Sequence, residues 1–218
     1  PETPFDKIAR GIDASGPPHR ALRPAPCPPP EERPRNISVT DVDRLSADPF
    51  AFYAKAVLGL NALEPVDADP GPAWRGSLIH DVLQHWAEDD DYRPGALVQR
   101  MERALSDGAV HPLIRALWLP RFAEAAEWIE RQVAENRVQG RIPLVAEKSG
   151  CTEFAGVKIR GRADRIDRLA NGGIGIVDYK TGEGPKNKQV AAGFAMQLGL
   201  IGLIAEKGGF DGVAGRAE

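Results

Sequence analysis

The sequence predicts an α/β chain in which helices come first and a strand-rich core follows. Three observations lead there. Between residues 41 and 137 apolar positions recur at helical spacing. At Ile142 the period changes, and two runs rich in Val and Ile then flank an Asn-Gly turn, the pattern of a β-hairpin. Residues 189–206 are apolar nearly all round, as in a helix buried against a sheet. The length of 218 residues permits one domain of ordinary size plus extensions.

Residues 1–36 are rich in Pro and Arg and end in P-A-P-C-P-P-P-E-E-R-P-R. Such a stretch cannot build a packed core and reads as a linker or extended arm. The folded part is expected to be residues 37–218, with a helical part at 37–140 and an α/β core at 141–218 that recruits the helix at 75–88. Thr40 is placed to cap a short helix starting at Asp41. Asp48-Pro49 joins a cap to a first-turn proline, opening a helix that carries Phe50, Phe52, Tyr53 and Val57. Residues 61–73 hold three prolines and are expected to loop.

Residues 75–88 have the stripe Leu78, Ile79, Val82, Leu83 and Trp86. His80 lies well off its centre and His85 on the other flank, so spacing alone makes both surface or half-buried histidines. Pro94 starts a helix through Leu97, Met101 and Leu105. Pro112 starts another, which Pro120 breaks or restarts before Phe122, Ala126, Ile129 and Val133 continue it. I-P-L-V-A-E-K-S-G from Ile142 reads as a strand, followed by C-T-E-F and a turn at Ala155-Gly156.

The hairpin comes next: V-K-I-R-G-R-A-D-R-I-D-R-L, A-N-G-G, I-G-I-V-D-Y-K-T-G. Alternation puts Lys158, Arg160, Arg162 and Asp164 on one face of the first strand, and Ile174, Ile176, Asp178 and Lys180 on one face of the second. A three-residue loop at 171–173 places Asp164 opposite Lys180, with Asp178 on the diagonal. A two-residue loop places Asp164 opposite Tyr179, on the wrong face. The first register is preferred because it gathers two carboxylates and an ammonium within roughly 5–8 Å. Residues 182–188 form a polar loop. Residues 189–206 form one helix, with Gly193, Gly199 and Gly202 allowing close approach to strands, and residues 210–218 begin a final strand. Pro1 at the start and V-A-G-R-A-E at the end suggest a fragment of a longer protein, with its C-terminus truncated.

Net charge is −3, so any nucleic-acid contact must come from a local patch. The dense basic group is Lys158, Arg160, Arg162, Arg165 and Arg168. Cys27 and Cys151 give neither metal spacing nor a disulfide framework. No signal peptide or membrane-length apolar run is present, which suits a cytoplasmic setting.

Hydrolysis of a phosphodiester needs an activated water and charge neutralisation, and Mg²⁺ held by one or two carboxylates can supply both. Asp164 and Asp178 are the candidates, and Lys180 can orient the water or stabilise charge. The competing reading is a cross-strand salt-bridge patch on a solvated face, since D-x-K alone is a weak signal. Two Asp residues in strands that disfavour them, one directly after the apolar run I-G-I-V, tip the balance to a metal. K-T-G-E-G-P-K-N-K lacks the phosphate-loop pattern, because Asn187 follows the lysine.

G-S-L-I-H-D-V-L-Q-H-W, G-R-A-D-R-I-D, I-V-D-Y-K-T-G and A-M-Q-L-G-L, in that order, resemble the PD-(D/E)XK nuclease domain of the RecB/AddB family. The A-D-P-F-A-F-Y stretch and the Pro-rich leader resemble the C-terminal part of a bacterial AddB-type subunit. The resemblance implies a restriction-endonuclease-like core, a central mixed sheet flanked by helices, with an added N-terminal helical region. It implies a metal held by His80, Asp164 and Asp178, with Lys180 and Gln197 joining the two aspartates in catalysis. The ion would be Mg²⁺, with Mn²⁺ as a substitute. Glu147 is a further acidic residue on the first strand. Arg160, Arg162, Lys186 and Lys188 are the candidates for touching nucleic acid.

Two departures stand out. Ile201 occupies the place of a tyrosine one turn after Gln197. Asp48 occupies the place of the first cysteine of an iron–sulfur cluster, which argues against a cluster. The implied activity is a Mg²⁺-dependent exonuclease that processes double-strand-break ends within a helicase–nuclease, on DNA and with an AddA-type subunit as partners and no membrane contact. The alternative is a catalytically silent DNA-binding or subunit-docking domain on the same fold.

Overall fold

The computed structural model describes residues 3–13, 16, 22–23, 25–61, 63, 71–106 and 110–218. Most of the loop expected at 61–73 lies outside the described residues. Within the leader, helix α1 (Pro4–Asp13) has no buried residue, and a 3₁₀ turn spans Pro30–Glu32. The leader is therefore partly helical, which composition alone did not signal. Pro26, Pro28 and Pro34 line a cavity of about 1010 Å³ with Phe50, Phe52 and Tyr53.

A short strand, β1 (Asn36–Ser38), runs directly into α2 (Val39–Ala47). The cap is Ser38, not Thr40. Its hydroxyl accepts from the Asp41 N–H, and the Asp41 carboxylate accepts from the Ser38 N–H, a reciprocal capping box. Asp48 caps α3 (Pro49–Phe52) as expected, accepting from the N–H groups of Phe50 and Ala51, and the chain continues as a π-helical turn over Tyr53–Val57.

Three helices then pack together: α4 (Pro72–Glu88), α5 (Ala96–Ser106) and α6 (Pro112–Val138). Leu83, Trp86, Leu97, Met101 and Leu105 form the centre of this helical core. α6 runs through Pro120 without a break. The proline removes one ladder hydrogen bond, but Leu119, Phe122 and Ala126 pack into the helical core on both sides of it and hold the helix together.

The sheet consists of β2 (Ile142–Phe154), β3 (Val157–Arg168) and β4 (Ile174–Val177) together with β1. β3 lies at its centre. β2 pairs antiparallel along one edge of β3. The other edge is shared, with β1 parallel to its first half and β4 antiparallel to its second. The sheet is thus mixed. Ala155 (φ 51°) and Gly156 (φ 76°) make the tight β2–β3 turn, both in the left-handed region that a two-residue hairpin loop demands.

The β3–β4 register differs from the expected one. Arg168 pairs with Ile174 and Arg165 with Val177, so continuing the ladder sets Asp164 opposite Asp178 rather than Lys180. The loop is longer than Asn171–Gly173. Leu169 N–H donates to the Gly173 carbonyl and Gly172 N–H to the Leu169 carbonyl, while Asn171 Oδ1 accepts from Gly173 N–H. The slip is two residues, so the faces keep their parity.

Residues 189–206 are not one helix. α7 (Asn187–Ala191) and α8 (Gln197–Glu206) are separated at Gly193, whose φ of 75° no helix accommodates. Only the second is buried: Ile201, Ile204 and Ala205 pack on Ile159, Ala163 and Ile166, whereas Val190, Phe194 and Leu198 are exposed. Among the three glycines expected to meet strands, Gly202 lies close to Ala217, and the other two face open space or nearly so. The expected final strand is present as one parallel bridge from Ala217 to Ile174. α8 covers one face of the sheet and α4 contacts β2, so helices flank the sheet. No helix among the described residues is long and apolar enough to cross a membrane.

Candidate metal centre

Four elements deliver the side chains. α4 supplies His80, β2 Glu147, β3 Asp164, and the residues just past β4 supply Asp178 and Lys180. Gln197 opens α8. His80 Nδ1 lies 2.7 Å from Glu147 Oε1 and 3.7 Å from Asp164 Oδ1. One ligand atom from each of these three residues falls within 4.8 Å of the others. Because a carboxylate only accepts here, His80 Nδ1 carries the proton and Nε2 is left with its lone pair. This is the tautomer in which a histidine binds a metal while a carboxylate orients it.

Local backbone shape creates this convergence. Glu147 has φ 46°, a left-handed conformation that is strained for a non-glycine residue. It falls between the paired positions Lys148↔Ala163 and Ala146↔Arg165, where the ladder skips a pair. Across from it β3 changes face. Ala163 and Ile166 both pack in the α8 core, whereas Asp164 meets His80 of α4 and Arg165 stacks on Tyr179, which packs in the helical core. Strict alternation therefore fails at Asp164–Arg165. Arg165 is buried and forms an ion pair with Asp167, so it leaves the basic patch in which alternation placed it.

Asp178 belongs to a second triangle. Lys180 Nζ lies 2.8 Å from Asp178 Oδ2 and donates to Gln197 Oε1 at 3.1 Å, while Gln197 Nε2 donates to Asp178 Oδ1 at 2.8 Å. The two groups share one electrostatic neighbourhood. Burial pushes Asp164 up to about 6, against the Tyr179 N–H and the His80 charge, and the Asp178 charge adds to the rise. The hydrogen bond to Glu147 holds His80 above the ordinary histidine value, opposed by burial and helped by the charges of Asp164 and Asp178. The Asp164 side chain is only 9% exposed and Glu147 only 3%. A buried carboxylate that resists ionisation is one that a divalent cation would stabilise, and three carboxylates with one imidazole suit such an ion.

Glu147 is the member that sequence reasoning ranked lowest. Its carboxylate joins His80 through Oε1 and Arg162 through Oε2, at 2.7 and 2.8 Å. Arg162 also reaches Gln84 Oε1, and its side chain stays half exposed beside the centre. Arg160 is exposed on β3, and Lys186 and Lys188 are exposed where α7 begins. Ile201 is buried against the sheet, and Asp48 serves as the α3 cap.

The sequence profile of the PD-(D/E)XK nuclease superfamily matches residues 36–217. An uncharacterized protein of Rickettsia conorii is 28% identical over 189 residues, covering 81% of this chain and 23% of that protein. An uncharacterized protein of Rickettsia typhi is 27% identical over 190 residues, covering 82% of this chain and 22% of that protein. One subunit of the ATP-dependent helicase/deoxyribonuclease of Streptococcus mutans is 29% identical over 160 residues, covering 70% of this chain and 14% of that protein. The chain thus spans less than a quarter of the length of these curated relatives.

Proposed function

We propose that this chain, which belongs to the PD-(D/E)XK nuclease superfamily, is the divalent-metal-dependent DNA exonuclease module of a helicase–nuclease that processes double-strand-break ends. The observation that carries this reading is the meeting of His80, Asp164 and the Asp178–Lys180–Gln197 triangle in one electrostatic neighbourhood. His80 Nε2, Asp164 and Asp178 would hold Mg²⁺ or Mn²⁺. The bound ion supplies charge neutralisation for a phosphodiester and activation of water.

The chain's own groups do the rest. Glu147 keeps the proton on His80 Nδ1 and so leaves Nε2 free. Lys180 directs its N–H groups to Asp178 and Gln197, which leaves one for a water or a phosphate oxygen. Gln197 accepts from Lys180 and donates to Asp178, and this fixes the ammonium relative to the carboxylate. Arg162, Arg160, Lys186 and Lys188 offer cations to the strand backbone. The name of the streptococcal relative supports a place beside an AddA-type subunit, acting on DNA in the cytoplasm.

The test is degradation of end-labelled linear DNA by the chain with Mg²⁺, with EDTA, and by Asp178→Ala. Cleavage that needs the metal and drops by about 10²-fold or more in the variant supports the reading. Equal degradation by the variant removes Asp178 from catalysis. Binding of DNA without cleavage by the wild type under every metal condition favours the silent DNA-binding domain instead.

A further inference from the structure

β4 ends at Val177, so the segment 178–180, which carries Asp178 and Lys180, lies outside the sheet ladder. Asp178 and Lys180 are joined to each other and to Gln197, but these bonds lie within the centre itself. The residue between them has different partners. The Tyr179 N–H donates to Asp164 Oδ2 at 2.6 Å. Its side chain turns to the opposite side and packs in the helical core, where its hydroxyl accepts from Arg165 Nη1 at 2.6 Å. The Arg165 guanidinium also lies 5.6 Å from the Tyr179 ring centroid.

Arg165 is itself held. It is 5% exposed and donates to both oxygens of Asp167, through Nε at 2.8 Å and Nη2 at 3.1 Å. Asp167 is 1% exposed and takes a further bond from Arg141 Nε at 2.6 Å. A buried charge of this kind is costly unless fully paired, and here the guanidinium and the carboxylate answer each other. Among the described residues, no hydrogen bond joins Arg141, Arg165 or Asp167 directly to His80, Glu147, Asp178 or Lys180. Tyr179 is the link between this network and the centre.

We propose that Tyr179 and Arg165 are positioning residues, a buried clamp that fixes the Asp178–Lys180 segment against Asp164. The inference rests on the proposed metal-dependent function of that centre. One residue ties both carboxylates to the same strut: its backbone N–H holds Asp164, and its anchored ring fixes the chain on either side, where Asp178 and Lys180 project. Tyr179→Phe keeps the ring and its burial and removes only the anchor to Arg165. Arg165→Lys keeps the charge but loses the planar fork that spans Asp167 and Tyr179.

The test uses the whole chain at a temperature where circular dichroism shows wild type and variants equally folded. Mn²⁺ affinity is measured by titration calorimetry, amide hydrogen exchange of residues 178–181 in the metal-free protein, and kcat and KM on linear DNA. The clamp predicts for both variants about tenfold weaker Mn²⁺ binding, faster exchange across 178–181, and a kcat about tenfold lower with KM for DNA unchanged. Wild-type Mn²⁺ affinity and wild-type exchange in Tyr179→Phe, with only the melting temperature lowered, would overturn the inference, because that is what a purely structural network gives. Wild-type protein that binds Mn²⁺ but leaves DNA intact would overturn the nuclease reading, while the exchange and calorimetry still decide the clamp.

Discussion

Glu147 spends both carboxylate oxygens on neighbours, one on His80 and one on Arg162. Its contribution to the centre is orientation of the histidine and of a cation at the rim. Glu147→Ala should weaken Mn²⁺ binding about 10- to 100-fold, read by calorimetry, and an unchanged affinity would show that His80 needs no orienting carboxylate. The titration of the centre has a definite sign. Asp164 and His80 both have folded values above their ordinary ones, so folding favours their protonated forms. Their contribution to stability is fully present below the unfolded values. That of Asp164 is lost as pH rises through about 6, and that of His80 is lost at a pH above the ordinary histidine value. A divalent ion needs Asp164 ionised and His80 Nε2 unprotonated. The rise in melting temperature on adding Mg²⁺ should therefore be larger near pH ~8 than near pH ~5.5, and the opposite order would place the ion elsewhere.

Elements show where the sequence was readable and where it was not. Asp48-Pro49 and the Ala155-Gly156 turn signal their local geometry through residue type, and both stand where expected. Strict alternation gave the correct face for Arg162 and Asp164 but not for Arg165. A face switch in β3 opposite a left-handed Glu147 leaves no trace in hydrophobic pattern. The buried Arg165–Asp167–Arg141 chain was hidden for the same reason, since charged residues next to an acidic site read as solvated. The register slipped by two because the Asn171-Gly172 turn closes through Leu169, a contact that residue types do not announce. The break between α7 and α8 turns on Gly193 alone. Gly161 is legible only in three dimensions: a methyl there would sit 2.5 Å from Ile201 Cδ1 and 3.1 Å from Val39 Cγ1. Gly161→Ala should cost about 1–3 kcal/mol by overpacking, read from denaturant midpoints at constant slope. A change near zero would mean that α8 can lift off the sheet without penalty.

At the scale of the whole molecule the chain has two cores, and the centre lies where they meet. The sheet core carries Asp164 and α8, and the helical core carries His80 and receives Tyr179. Neither core can assemble the site alone, so the helical part is a working half of the centre. The family and the mixed α/β architecture were both legible from four short motifs in order, because their residues sit at element boundaries where type and geometry are tightly linked. The central claim is that His80, Asp164 and Asp178 bind one divalent ion. The most direct measurement is an anomalous scattering map from a crystal of the chain soaked in Mn²⁺. The account predicts a single strong peak within ligand distance of His80 Nε2 and of carboxylate oxygens from both Asp164 and Asp178. A map with no peak there at saturating Mn²⁺, or with its peak bound to Glu147 and Arg162 displaced, would contradict it.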